Sequence, residues 1–99
     1  MIKLTLVGYT PNGGTRVTCN GASQELSIPA DSLLCFVSVE VGTTATDMYV
    51  KCALDAAATT TSYIYVTDLT PQPIYLNGAT TLNLLGETGV FANVAFYKA

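Results

Sequence analysis

The part of the chain that decides the expected fold reads Thr80-Thr-Leu-Asn-Leu-Leu-Gly-Glu-Thr-Gly-Val-Phe-Ala-Asn-Val-Ala-Phe-Tyr97. In its first arm Leu82 and Leu84 share a face, because side chains alternate along a strand. The arm ends at a short turn with glycine at both ends, Gly86 and Gly89, where positive φ costs little. The apolar face of the second arm consists of Val90, Ala92, Val94 and Phe96. We predict a β-hairpin at the centre of the molecule, with this apolar face covered by a partner sheet.

The composition indicates one small domain with an uncharged polar surface. The chain has 99 residues, which is enough for a single core without metal or disulfide support. Only 11% of the residues are charged, whereas about a quarter is usual. The polar surface is therefore mostly Thr, Ser and Asn, and Thr favours strands. We expect one domain over residues 1–99, and its scarcity of ions lowers the desolvation cost of docking on another protein.

Charge and hydropathy argue against nucleic acid and membrane partners. The net charge is −3, and the four basic residues, Lys3, Arg16, Lys51 and Lys98, are scattered rather than clustered. The longest apolar run, 33–37, is far shorter than the ~20 residues that span a bilayer. No apolar segment of the signal-peptide type follows Lys3. We expect a complete small protein with no signal peptide or transmembrane segment.

Three cysteines, Cys19, Cys35 and Cys52, cannot all pair within one chain. Their spacing fits no zinc pattern, and the sequence contains no histidine to complete one. We predict three reduced, buried thiols that pack as small apolar groups, which implies assembly in a reducing compartment.

The first third of the chain is predicted to form three short strands. Residues 2–8 alternate between apolar and mixed positions, as a half-buried strand does. Thr10-Pro-Asn-Gly-Gly14 is predicted as a turn, since Pro fixes φ and Asn-Gly supplies positive φ; no lysine follows at the offset that a phosphate-binding loop requires. Further strands are predicted at 15–19 and 24–28, with turns after each.

Residues 33–41 form the strongest single strand pattern. Its first face is entirely apolar and must be core; it comprises Leu33, Cys35, Val37, Val39 and Val41. The other face begins with Leu34 and Phe36 and becomes polar at Ser38 and Glu40. We therefore expect Leu34 and Phe36 to lie under a loop or against a neighbouring subunit.

The segment 47–54 fits two structures. As a strand it places Met48, Val50, Cys52 and Leu54 inside; as a helix it would start at an Asp47 N-cap and continue through the alanines that follow. We favour the strand, because the alternation is clean and the neighbours are strands, and we expect a loop over 56–62.

The following segment is predicted as two strands around a proline-containing loop. Residues 62–67 alternate Ile64 and Val66 with Tyr63 and Tyr65. Residues 68–73 are predicted as a loop because their two prolines remove ladder donors. A short strand at 74–76 then leads to Asn77-Gly78, the strongest two-residue hairpin signal in the chain.

Eight or nine short strands with turn chemistry between them are typical of an all-β sandwich or barrel. We predict a single, jelly-roll-like β-sandwich of about eight short antiparallel strands. Strand order cannot be derived from periodicity.

No residue constellation points to catalysis. Without histidine the usual general base is missing. The carboxylates fall mostly in predicted turns, and none shows the Asp-x-Asp spacing of a calcium loop. We expect no enzyme activity, no cofactor and no metal.

Tyrosines provide the main functional signal. Tyr63 and Tyr65 share one face of a strand, and Tyr75 lies on the next strand. If these strands are neighbours, the three rings form a patch that either packs on itself or contacts a protein or sugar. Together with the outward apolar pair, the candidate interaction residues are Leu34, Phe36, Tyr63, Tyr65 and Tyr75.

The closing segments Ile74-Tyr-Leu-Asn-Gly-Ala-Thr-Thr-Leu-Asn-Leu84 and Val90-Phe-Ala-Asn-Val-Ala-Phe-Tyr-Lys98, about the last quarter of the chain, resemble the small β-sandwich decoration or cement proteins of tailed-phage capsids. The resemblance implies a non-enzymatic virion protein that stabilises a phage head through protein–protein contacts, assembled in the host cytoplasm. The implied partners are the major capsid protein or other virion proteins and further copies of the chain, with a trimer favoured.

Two other functions remain open. A carbohydrate-binding module or tail-fibre adhesin would stack sugar rings on Tyr63, Tyr65 and Tyr75 and bond hydroxyls through Asn77, Asp68 or Gln72. The absence of tryptophan weakens this alternative. A secreted adhesion domain is opposed by the missing signal and the odd cysteine count.

Overall fold

The computed structural model describes residues 8–42, 45, 48–67 and 71–99, and within these ranges it contains eight β-strands and no helix. The strands are β1 Thr10–Thr18, β2 Gln24–Ser27, β3 Leu34–Val41, β4 Tyr49–Leu54, β5 Ile64–Thr67, β6 Gln72–Tyr75, β7 Thr81–Gly86 and β8 Val90–Lys98. The predicted all-β class is confirmed. Outside the described residues lie nearly all of the predicted strand at 2–8, the first residue of the predicted strand at 47–54 and part of the predicted loop at 68–73.

The strands form two four-stranded antiparallel sheets. Sheet A has the order β1-β8-β3-β6, and sheet B has the order β2-β7-β4-β5. The pairs β1·β8, β2·β7, β3·β6 and β4·β5 show that the chain doubles back on itself as one long ribbon, which is then wrapped into two facing sheets. This is jelly-roll connectivity. The inner faces enclose one core, whose fully buried aliphatic members include Val37, Val50, Val66, Leu82, Leu84 and Val90.

The predicted hairpin of the last quarter is wrong, although the segment is central as expected. β7 and β8 lie in different sheets, and each is an inner strand flanked on both sides. The turn between them, closed by the Val90 N–H donating to the Glu87 carbonyl at 3.0 Å, is an arch across the core. An arch lets the apolar faces of both arms point at each other, so each buries the other, whereas a hairpin would need a separate cover for both.

The Asn77-Gly78 turn forms locally but does not join a hairpin, which corrects a second prediction. Asn77 and Gly78 have φ of 49° and 80°, and the Ala79 N–H donates to the Leu76 carbonyl at 2.9 Å. The strands on either side, β6 and β7, belong to different sheets. Residue preference therefore fixed the turn, and burial of the flanking strands fixed their partners.

Two proline-containing segments predicted as turn or loop lie in edge strands. β1 contains the segment 10–14 and absorbs it as a register shift between Pro11 and Gly14. Gly14 is required there, because a Cβ would lie 2.7 Å from the Val94 carbonyl oxygen. Pro73 lies in β6 opposite Phe36. Edge strands tolerate both features because one side of their ladder has no partner in the sheet.

The remaining strand predictions agree with the structure. Residues 33–41 yield β3, and 47–54 yields strand β4 rather than a helix. Leu33 and Met48 were predicted to be inward but are 49% and 54% exposed. Both lie immediately before the first residue of a strand. The Leu33 backbone nevertheless already bonds to its neighbours, since its N–H donates to the Tyr97 carbonyl at 2.8 Å and its carbonyl accepts from the Leu76 N–H at 3.0 Å.

The three cysteines are free and buried, as predicted. Cys19, Cys35 and Cys52 are at most 1% exposed. Burial raises the pKa of Cys35 to about 12, and burial first, followed by the neighbouring Cys35 and Cys19, raises the pKa of Cys52 to about 12. The thiols therefore stay protonated near neutral pH and act as core-packing groups, not as nucleophiles.

Candidate interaction surface

The outer face of sheet A carries an uncharged region that spans all four strands. In one row of cross-strand neighbours Tyr97 lies opposite Pro11 and Leu34, and Leu34 lies opposite Tyr75. In the next row Ala95 lies opposite Gly14 and Phe36, and Phe36 lies opposite Pro73. These positions face outward because the alternating residues, such as Cys35 and Phe96, are core. We call this region the apolar patch; it comprises Pro11, Gly14, Leu34, Phe36, Pro73, Tyr75, Ala95 and Tyr97.

Aromatic side chains shape the surface of the apolar patch. Phe36 and Tyr97 pack edge to face, with ring centroids 6.1 Å apart and an interplanar angle of 87°. Tyr75 is 63% exposed, whereas Leu34, in the row between Tyr75 and Tyr97, is only 3% exposed. Leu34 is therefore covered by its own chain and offers almost no area to a partner. Of the predicted outward pair, only Phe36 offers area to a partner.

A polar cluster bounds the apolar patch at the other end of the same face. An Arg16 guanidinium nitrogen lies 3.2 Å from a Glu40 carboxylate oxygen, and the Asn93 amide donates to the other oxygen at 2.8 Å. The guanidinium also lies 4.4 Å from the Phe91 ring centroid. An exposed ion pair contributes only about 0–1 kcal/mol to stability. Its clearer effect is to make this half of the face hydrophilic and so to limit the apolar area.

The predicted three-tyrosine platform does not form. Tyr75 lies on β6 at an edge of sheet A, whereas Tyr65 lies on β5 at an edge of sheet B. The two strands follow each other in sequence, but the chain changes sheets between them, so their outer faces point in opposite directions. Tyr65 packs instead on Tyr49, with centroids 5.0 Å apart, and Tyr63 is fully exposed just before β5. The structure thus brings Leu34, Phe36 and Tyr75 together and separates Tyr63 and Tyr65 from them.

The outer face of sheet B is partly covered by the connection between β4 and β5. This connection starts at β4 and reaches the start of the opposite edge strand β2, where the Ala58 N–H donates to Ser23 Oγ at 2.9 Å. Its path over β7 explains why Asn83, which points outward, is only 7% exposed. Ala58 itself is 5% exposed. The chain therefore covers part of this face with its own residues.

Asp55 fixes the start of that connection. It has a φ of 55°, and its Oδ1 accepts hydrogen bonds from the backbone N–H groups of Thr80 at 2.8 Å and Thr81 at 3.0 Å. The hydroxyls of both threonines donate to the same oxygen. The Thr80 backbone bond first, and then the Thr81 bond, lower the pKa of Asp55. This carboxylate organises a turn, which is the role that the sequence predicted for most carboxylates.

Five members of the apolar patch were missed by sequence reasoning: Pro11, Gly14, Pro73, Ala95 and Tyr97. The outward face of the last arm, including Ala95 and Tyr97, was visible in the alternation. Local residue preference assigns the two prolines and the glycine only to turns and loops. Register between distant strands was the missing information.

Among the described residues, no group of three or more Cys, Asp or Glu side chains is placed to bind a metal ion. Within the same ranges, the structure has no helix of the length and hydropathy needed to cross a bilayer. No protein-family model matches the chain, and searches of curated proteins and of solved structures likewise find no match.

Proposed function

We propose that the protein is a non-enzymatic structural component of a virus particle, a capsid decoration or cement protein that stabilises a phage head through protein–protein contacts. The observation that carries the proposal is the apolar patch on sheet A. The patch spans four strands without a charged residue, and a polar cluster bounds it at one end.

The chemistry of the apolar patch suits a protein partner. The centres of protein interfaces are depleted in charge and rich in aromatic residues, while their rims are polar. Phe36, Tyr75 and Tyr97 supply large rings, and the Arg16–Glu40 pair supplies a rim. Keeping apolar surface in water is unfavourable by about 25 cal/mol per Å², so covering it favours association.

The fold supports the proposal only by analogy. Jelly rolls form both viral shell domains and lectins, and a fold alone does not fix a function. The apolar patch favours the shell protein over the lectin on this face. Apart from the hydroxyls of Tyr75 and Tyr97, its side chains have no polar group that could bond the hydroxyls of a sugar.

The occupant of the apolar patch that we propose is a further copy of the chain, in an oligomer that also meets the shell protein. Each copy carries a net charge of −3, so a charged contact surface would be repulsive. The patch is uncharged, and the neighbouring Arg16–Glu40 pair sums to zero and can pair reciprocally across a symmetry axis.

Light scattering after size exclusion tests the proposal. We expect the untagged protein at micromolar concentration to form a discrete oligomer, and Tyr75→Asp to convert it to monomer by placing a charge in the apolar patch. Thr18→Asp is the matched control, because Thr18 is exposed on the same outer face but in its polar half. A wild-type monomer at all concentrations, or an oligomer that survives Tyr75→Asp, would contradict the proposal. Circular dichroism establishes that both variants are folded.

A further inference from the structure

A groove of about 270 Å³ opens on the outer side of sheet B, on the opposite side of the molecule from the apolar patch. Leu85 of β7 lies among its lining residues, together with Tyr49 and Lys51 of β4. Thr60 of the β4–β5 connection, Glu87 and the glycine pair Gly21 and Gly86 also line it. The Gly21 N–H donates to the Gly86 carbonyl at 2.8 Å.

The lysine in this groove is held in place by aromatic rings. The Lys51 ammonium lies 4.5 Å from the Tyr65 ring centroid and 5.7 Å from that of Tyr49. The two rings pack on each other with centroids 5.0 Å apart and an angle of 35°. Cation–π attraction therefore fixes a side chain that is usually disordered in solution. A donor that is already positioned loses less entropy when it binds a ligand.

Charged side chains of both signs are among the described residues that line the groove. Lys51 contributes one cation and Glu87 one anion, and the Thr60 hydroxyl can both donate and accept. A phosphate or carboxylate would meet the Glu87 charge, and an amine would meet the Lys51 charge. A neutral ligand that carries several hydroxyls can use donors and acceptors of both kinds without that repulsion.

The apolar part of the groove sets a second requirement for the ligand, which is an apolar face beside its hydroxyls. Leu85 and the Tyr49 ring offer a surface for C–H groups beside the polar ones. A pyranose has one face of C–H groups and a perimeter of hydroxyls, which matches this arrangement. The volume is slightly below the ~300 Å³ at which pockets for drug-sized ligands begin, so it suits one ring rather than an oligosaccharide.

We propose that this groove binds a single neutral hexose unit of a glycan, stacked on Tyr49 and bonded by Lys51, Thr60 and Glu87. The proposal goes beyond the structural role and uses the opposite face of the molecule. It also differs from the sugar platform predicted from Tyr63, Tyr65 and Tyr75. Of these three rings, Tyr65 is the one that contacts the groove residues Tyr49 and Lys51.

The test is a titration of ¹⁵N-labelled protein followed by amide chemical shifts. The probes are D-glucose, D-galactose, D-mannose and N-acetyl-D-glucosamine, with D-glucuronate, D-glucosamine and glycerol as charged and ring-free comparisons. We expect at least one neutral sugar to shift the amides of Gly21, Thr60, Leu85 and Gly86 in a saturable manner. Contacts to a single sugar ring predict a Kd on the order of 1 mM. The charged sugars should bind more weakly.

Two variants and two controls assign the shifts to the groove. Tyr49→Ala and Lys51→Met should each raise the Kd at least about tenfold, and Lys51→Met keeps most of the buried side chain if Tyr49→Ala folds poorly. Tyr63→Ala, which removes a fully exposed ring on the same side of the molecule, should leave the Kd unchanged. Tyr75→Asp should also leave it unchanged, whatever its effect on the oligomer. The proposal is overturned if no neutral sugar shifts these amides, if glycerol shifts them equally, or if Lys51→Met binds as the wild type does.

Discussion

Replacing Gly86 by alanine should destabilise the fold through one defined collision. A Cβ at this position would lie 2.6 Å from Cys19 Sγ, 3.0 Å from Cys19 Cβ and 3.2 Å from Val50 Cγ2. Carbon contacts are normally about 3.5–4.0 Å, so the neighbours must move by as much as ~1 Å. Cys19 and Val50 are at most 1% exposed, so both colliding side chains belong to the packed core.

The size of the effect follows from two opposing terms. Overpacking a tight core costs about 1–3 kcal/mol. Gly86 is not among the residues with positive φ, so alanine also restricts the unfolded chain and returns about 0.4–1 kcal/mol. Since both colliding neighbours are fully buried, we expect the free energy of unfolding to fall by ~2 kcal/mol. For a chain of this length that lowers Tm by about 10 °C and the urea midpoint by about 1 M.

Urea denaturation of Gly86→Ala, Cys19→Ala and the double variant provides the test. Cys19→Ala alone removes a buried atom and should cost ~1 kcal/mol. In its background the closest contact is gone, so the cost of Gly86→Ala should fall by at least ~0.5 kcal/mol. An equal cost of Gly86→Ala in both backgrounds, or a single variant as stable as the wild type, would refute this account of the packing. The double variant keeps the test informative if Gly86→Ala does not fold.

The other predictions concern ionisable groups and are checked by unfolding at varied pH. Asp55→Ala should lower Tm more than Asp55→Asn, because Asn keeps an acceptor and tolerates positive φ. Since the folded-state pKa of Asp55 lies below its ordinary 3.8, its stabilising contribution is present above about pH 4 and is lost as the pH falls through the folded pKa; the stability gap to Asp55→Asn should therefore narrow in acid. Folding raises the thiol pKa of Cys35 and Cys52 from 9.0 to about 12, so their contribution is complete below pH 9 and declines as the pH rises towards 12. A free energy of unfolding that does not change between pH 9 and pH 12 would contradict this prediction about Cys35 and Cys52. Rapid thiol labelling of the native protein would contradict it as well. Glu40→Gln should change the free energy of unfolding by less than about 1 kcal/mol, and a larger loss would show that the Arg16 pair has a structural role.

The candidate surfaces show which features of the structure can be predicted from local sequence patterns and which cannot. Strand alternation predicts Phe36 to be outward, Tyr75 is predicted as a member of an outward tyrosine patch, and the structure places both in the apolar patch. Tyr65 was also correctly expected to be outward, but its neighbours are Tyr49 and Lys51 rather than Tyr75. Whether a side chain points inward or outward follows from a period of two. Which outward side chains meet depends on register between strands distant in sequence.

The sequence by itself determined the strands, most turns, the buried thiols and the all-β class, because these depend on side-chain alternation and on the backbone preferences of a few residues. Only the tertiary structure decided strand partners. The turns at Asn77-Gly78 and at 86–89 formed where residue preference predicted them, yet neither joins paired strands. A turn sets the direction of the chain over a few residues at a cost of about 1 kcal/mol or less, whereas burying Leu82, Leu84, Val90 and Phe96 against each other contributes several kcal/mol. The larger, non-local term selected an arch over a hairpin, and with it the strand order that brings Pro11, Phe36, Pro73 and Tyr97 onto one face.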